Sequence, residues 1–241
     1  MGVPFETWGS VPLEERSEGD CFDHVIAQKG PEASKLNHLA VEICEQAEDG
    51  DQLMFLSPDA FPIADPMGVV EEALSRSALV AVRRVQNNGE RQPYPCFCVT
   101  TVGAWRRLAG DWSDGYPWSG SDGMRVTEIG GNLLRRLELT DTPWVELQRS
   151  NPARLDPLYF AIYGGVVYHH GSGELTRAHR VSQPRQIPVP PLPGLSTAVE
   201  RLNDERRLMW ERGAHKRFTR HSDALFERMS AGGSGWLAEV S

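Results

Sequence analysis

The sequence predicts an α/β protein: a sheet flanked by helices, with a charged helical extension at the C-terminal end. Three observations carry that prediction. Residues 21–27, 36–47 and 53–56 read in succession as strand, helix and strand, a βαβ unit that implies parallel strands. The apolar run Leu53-Met-Phe-Leu56 passes directly into an acidic turn, Ser57-Pro58-Asp59. Past Arg180, prolines at 184, 188, 190, 191 and 193 give way to a charged helical pattern.

Taken in order, residues 1–20 are polar, proline-bearing and without periodicity, and read as an irregular N-terminal segment. Residues 21–27 alternate as a short strand that Lys29-Gly30-Pro31 ends. Leu36, Leu39, Ala40, Ile43 and Ala47 recur at three- and four-residue steps, the mark of an amphipathic helix. Ser34 is its expected cap and Gly50 stands past its end. The unbroken apolar character of 53–56 suits a strand covered on both faces. A helix is expected over 69–75, strands over 78–85 and 95–101, and a short helix from 105 to 108. Residues 110–123 form a loop dense in Gly, Asp, Ser and Trp, and 131–139 a helix carrying Leu133, Leu134 and Leu137. Two strands, 158–162 and 166–168, meet at Gly164-Gly165 as a hairpin. The organisation is therefore 1–20 irregular, 21–180 a main domain, 181–196 a Pro-rich connector and 197–241 a charged helical tail. Arg201, Arg206, Arg207, Arg212, Lys216, Arg217 and Arg220 make that tail locally basic. It reads as a solvated helix, the alternative being peripheral docking on an anionic membrane or polymer surface.

The chain has 241 residues, 40% of them hydrophobic, and a formal net charge of -8. That length supplies a sizeable core. The acidic balance argues against nucleic acid as a partner, and no apolar run reaches the length of a membrane span. Met1-Gly-Val-Pro-Phe-Glu lacks the basic and apolar regions of a secretory signal. Cys21, Cys44, Cys96 and Cys98 offer no second pair for a zinc knuckle, so reduced core thiols in a cytoplasmic protein are expected.

Ala33-Ser-Lys-Leu-Asn37-His, Leu53-Met-Phe-Leu-Ser-Pro-Asp59-Ala-Phe-Pro-Ile and Tyr168-His-His-Gly-Ser-Gly173 carry chemistry in a recognisable order. Together they resemble a GT-A-fold glycosyltransferase of the bacterial family-2-like group, over about two thirds of the chain, from Phe22 to Arg180. The resemblance implies a Rossmann-related mixed sheet flanked by helices, and transfer of a sugar from a nucleotide-diphosphate sugar to a hydroxyl acceptor, itself a sugar, a lipid-linked group or another alcohol. It also implies Mn²⁺ or Mg²⁺, held by an Asp-x-Asp motif at a strand end. Here Ser57-Pro58-Asp59 occupies that place, so the first acid is missing and a neutral hydroxyl, a weaker ligand, stands in for it. The family's first strand and helix would precede Phe22, where only about twenty residues stand, so the first strand is expected to be missing.

Carried over residue by residue, the resemblance makes Asp59 the metal ligand, with His169 or His170 completing the sphere, since a neutral imidazole is a good ligand. Adjacent strand residues point to opposite faces, so only one of the two histidines would serve. Ser57, Lys35 and Asn37 would lie on the nucleotide sugar and Arg177 would meet the departing diphosphate. Glu128 would be the catalytic base, with Asp111 and Asp122 as rivals. Trp112, Tyr116 and Trp118 would offer flat faces to the acceptor. Each has a plainer reading: a turn-capping Asp59, solvent-facing Lys35 and Asn37, an N-terminal Glu128 complementing a helix dipole, structural strand histidines. Two other functions compete with transfer: a catalytically inactive binding module that keeps the fold, and a metal phosphoesterase, which would want more acidic ligands.

Overall fold

The computed structural model describes residues 6–10, 23–26, 30–86, 89–120, 123–151 and 160–170, together with 199–206 and the helical positions 209, 213, 216, 220, 223–224 and 227–228. The chain divides into two compact units, one comprising 1–149 with 163–167 and the other 150–162 with 168–241.

The first unit is built on a four-stranded sheet in the order β3-β6-β5-β9, from β3 (Gln52–Leu56), β5 (Leu79–Val82), β6 (Tyr94–Thr101) and β9 (Val145–Leu147). β6 runs antiparallel to both β3 and β5, while β5 and β9 are parallel, so the sheet is mixed. This corrects the parallel core that the strand–helix–strand pattern predicted. Apolar spacing identifies a strand but not its partner, and the eight-residue β6 takes the place beside β3.

β2 (His24–Ile26) pairs instead with β1 (Trp8–Ser10), in parallel. The segment read as irregular therefore contains a strand ahead of residue 22, though three residues are too few to show a period. It is held by a reciprocal lock. The Thr7 N–H and hydroxyl both donate to Asp23 Oδ2, at 2.7 and 2.8 Å, and the Asp23 N–H returns a bond to Thr7 Oγ1 at 3.0 Å. The Trp8 and His24 rings stack at 4.1 Å.

Four helices surround the sheet: α1 (Glu32–Gln46), α2 (Met67–Leu74), α3 (Val102–Leu108) and α4 (Gly131–Leu139). α1 starts after Pro31, three residues earlier than a Ser34 cap would place it, with Glu32 in the first turn to complement the helix dipole. Its last turn carries no base of its own. Arg106, on α3, supplies one by donating to the carbonyls of Cys44 and Ala47 while pairing with Asp49. α3 is capped by Thr101, whose hydroxyl accepts from the Ala104 N–H at 3.1 Å.

On one face of the sheet, Leu53 and Phe55 of β3, Leu79 and Ala81 of β5 and Cys98 of β6 pack against Ala40, Trp105, Leu108, Leu133 and Leu137 of the helices. Phe55 lies 4.9 Å from the Trp105 ring and 5.0 Å from that of Trp112, the second contact edge-on. Val80, Val82, Phe97 and Val99, on the other face, are also fully buried, and α2 packs against β5 with Val70 and Ala73 buried. Among the described residues Cys96 and Cys98 are buried and unpaired and Cys44 is free and half-buried; Cys21 lies outside them.

A hairpin turn stands at 163–166. Gly164 and Gly165 hold φ of 57° and 70°, and the Val166 N–H donates to Tyr163 O at 3.0 Å between β10 (Phe160–Tyr163) and β11 (Val167–His170). Two successive positive φ values explain why the loop is Gly-Gly. In the second unit, residues 199–206 are helical, as are the described positions between 209 and 228. Among the described residues no helix is long and apolar enough to cross a membrane.

Candidate functional site at the carboxyl edge of the sheet

β3 and β5 point the same way, so their carboxyl ends share one edge of the sheet with the start of β6, where open α/β sheets bind ligands. The Ser57 N–H donates to Cys96 O at 3.2 Å, tying the end of β3 to the start of β6. The register of β5 on β6 shifts between Ala81 and Val82, so Val82 meets Tyr94. Pro95 falls within that irregularity, where its missing N–H costs no ladder bond.

The shift brings Tyr94 under Arg84, whose guanidinium stands 3.4 Å from the ring centroid. Arg84 is 8% exposed and Glu90 2%; they pair by two parallel bonds of 2.8 and 2.9 Å. Burial pushes the Cys96 thiol well above its usual range; Arg84 opposes this and the nearby charges of Asp59 and Glu32 add to it. Asp59 is half-buried in the turn before β4 (Ala60–Pro62), and the Ser57 hydroxyl donates to Glu32 Oε1 at 3.4 Å. The N-terminal turn of α1, with Glu32 and the half-buried Lys35, thus reaches the same edge.

One helical turn further on, Asn37 belongs to a polar knot. Its amide donates to Asp111 Oδ1 at 2.7 Å and Ser113 Oγ at 3.3 Å, and its carbonyl accepts from the Trp112 N–H at 2.8 Å. Asp111 also accepts from the Ser113 N–H at 2.8 Å and from Asn132 Nδ2 at 2.9 Å. Burial raises the Asp111 carboxyl, but the bonds from Ser113, Asn132 and Asn37 outweigh it and hold the group below the usual carboxylate range. A carboxylate so engaged is a poor proton acceptor; Asp111 joins α1, the loop after α3 and α4. Asn37 spends its amide on that joint.

α4 approaches the same edge through its glycines. Gly130 holds φ 85°, and a Cβ there would stand 2.2 Å from Pro93 O, so only glycine lets the helix start against the entry to β6. Glu128, two residues before, has an exposed side chain, and its carbonyl accepts from the Gly131 N–H at 3.0 Å.

The aromatic loop departs from expectation. Trp112 is fully buried between Phe55 and Trp105, and Trp118, on β7 (Trp118–Ser119) opposite β8 (Arg125–Val126), is 5% exposed, so neither offers a face to an acceptor. A large apolar side chain beside a forming core gains more by burial than by waiting for ligand. Tyr116 is half-buried, and its hydroxyl donates to Glu138. Trp144, not singled out by the sequence, is half-buried in an open cleft, although an aromatic beside Thr142-Pro143 in a turn was the available signal.

His169 and His170 belong to the second unit. His169 is 4% exposed, whereas His170 meets the Tyr168 hydroxyl through Nδ1 at 2.9 Å and Asp223 through Nε2 at 3.4 Å. Arg177 and Asp122 lie outside the described residues. Among the described residues no three His, Cys, Asp or Glu side chains gather as a metal cage. Asp59, two residues from the Ser57 that bonds Glu32, is nonetheless the kind of donor that suits Mg²⁺ or Mn²⁺ shared with a phosphorylated substrate, which needs one or two protein carboxylates and takes its other ligands from phosphate and water.

Compared with protein families, curated proteins and solved structures, the chain matches none. The resemblance to glycosyltransferases therefore rests on its own residues.

Proposed function

We propose that the chain is a metal-dependent glycosyltransferase that moves a sugar from a nucleotide-diphosphate sugar to a hydroxyl acceptor. The observation that carries this reading is the meeting of Asp59, Ser57, the first turn of α1 and the start of α4 around the carboxyl ends of β3 and β5. The backbone N–H groups at the start of α1, with Lys35 beside them, favour a diphosphate. Asp59 would hold Mn²⁺ or Mg²⁺ there, and the ion would supply Lewis acidity toward the leaving diphosphate. Glu128, exposed at the entry to α4, takes the acceptor proton as its oxygen bonds to the anomeric carbon. The bond from that carbon to the diphosphate breaks, and the nucleotide diphosphate leaves with the electron pair.

Calorimetry with UDP- and GDP-sugars, with and without Mn²⁺, tests this. Metal-dependent donor binding and slow donor hydrolysis are expected, with Asp59→Ala weakening both by about 10–100-fold. A second reading, a binding module that has lost catalysis, is favoured by Ser57, which leaves a hydroxyl where a carboxylate would ligate. Donor binding without turnover would select that reading, and absence of donor binding under every condition would sink both.

A further inference from the structure

Beside the carboxyl-edge residues, α4 and the β5–β9 pair enclose an open cleft of about 280 Å³, near the lower end of the range for small-molecule sites. Its polar walls are Arg83, Arg91, Glu138, Asp141 and Glu146, and the half-buried Trp144, which also packs on the core, is among its lining residues. These groups are held in place. Arg83 donates to Glu146 at 2.6 Å and to Glu90 O at 3.0 Å, and Gln148 donates to the second Glu146 oxygen at 3.0 Å. Arg91 donates to Glu138 Oε1 at 2.7 Å, and the Tyr116 hydroxyl occupies Oε2.

The charge pattern selects the ligand. Two guanidiniums face three carboxylates, and each guanidinium is already paired. An anion would have to displace a carboxylate, and a cation would meet the arginines. A neutral polyol meets neither cost: each hydroxyl can donate to a carboxylate oxygen with a lone pair to spare and accept from a guanidinium N–H. The indole suits the C–H face of a ring that carries such hydroxyls. We propose that this cleft is a saccharide-binding site, built around Trp144, that receives a neutral pyranose. The proposal goes beyond the transferase reading, because binding here requires neither donor nor catalysis.

Saturation-transfer NMR and calorimetry with glucose, galactose, mannose and N-acetylglucosamine test it on the full chain. At least one hexose should bind with a Kd of about a millimolar, as expected of a small ligand covered on one side. Trp144→Ala should weaken binding at least about tenfold, while Trp144→Phe, which keeps an aromatic face, should retain most of it. Trp144 also packs on the core, so Arg91→Ala, at an exposed rim position, is the second variant and should weaken binding severalfold. Binding of none of the four sugars overturns the proposal. So does hexose binding unchanged in both alanine variants, or binding of arginine or inorganic phosphate in place of sugars. UDP-sugar titration with Mn²⁺ on the same samples reports separately on the carboxyl edge: hexose binding without donor binding sinks the transferase reading alone, and the reverse sinks the cleft alone.

Discussion

Arg84 carries its charge inside the protein, and Glu90 is what makes that position tolerable. Both are nearly inaccessible and joined by two short bonds, with the Tyr94 ring against the guanidinium. Removing one partner leaves the other charge buried and alone. Arg84→Met is therefore expected to cost about 3–5 kcal/mol in urea denaturation, and the double replacement Arg84→Met with Glu90→Met to recover much of that loss. A single variant that unfolds at the same urea concentration as the unaltered chain would show that water reaches the pair. Residues also show where sequence reading stops. Trp112, Tyr116 and Trp118 stand close together in one polar loop, yet only Tyr116 reaches a cleft residue, because Phe55 of β3 and Trp105 of the preceding helix claim Trp112 for the core. The strand-end position of Asp59 was legible because the apolar run to Leu56 breaks at Ser57-Pro58, whatever the strand pairs with.

At the scale of elements, Asp111 decides how α1 and α4 meet. Its folded-state pKa lies below the unfolded value, so its contribution to stability is fully present above the ordinary carboxylate range, about pH 4, and is lost as pH falls through the depressed folded value. Asp111→Asn sets an amide donor against the Asn37 and Asn132 donors; a loss of about 1–3 kcal/mol at neutral pH is expected, with a shallower fall of stability in acid. Thermal melts of the two proteins between about pH 3 and pH 7 check this, and parallel pH profiles would refute the role given to Asp111. Helix α4 was readable to its last residue, since three leucines at helical spacing follow a Gly-Gly start. β1 was not readable, because three residues show no period and their pairing with β2, flanked by the Asp23 lock on Thr7, is made with a segment more than a dozen residues away.

For the whole molecule, the net charge of -8 leaves little attraction for polyanions, despite the basic residues of the tail. No shift of duplex DNA is expected in a gel at about 0.15 M salt; retardation that fades as salt rises would mean that the tail overrides the overall charge. By itself the sequence determined that this is a mixed α/β chain with an acidic strand end and a helical tail, because apolar spacing, prolines and glycines act on neighbours a few residues away. Only the tertiary structure decided that β6 lies antiparallel between β3 and β5, that two tryptophans are core, and that Trp144 lines a charged cleft. Those outcomes depend on contacts between segments tens of residues apart, where the competition for burial and for backbone partners is settled by the whole fold rather than by local pattern.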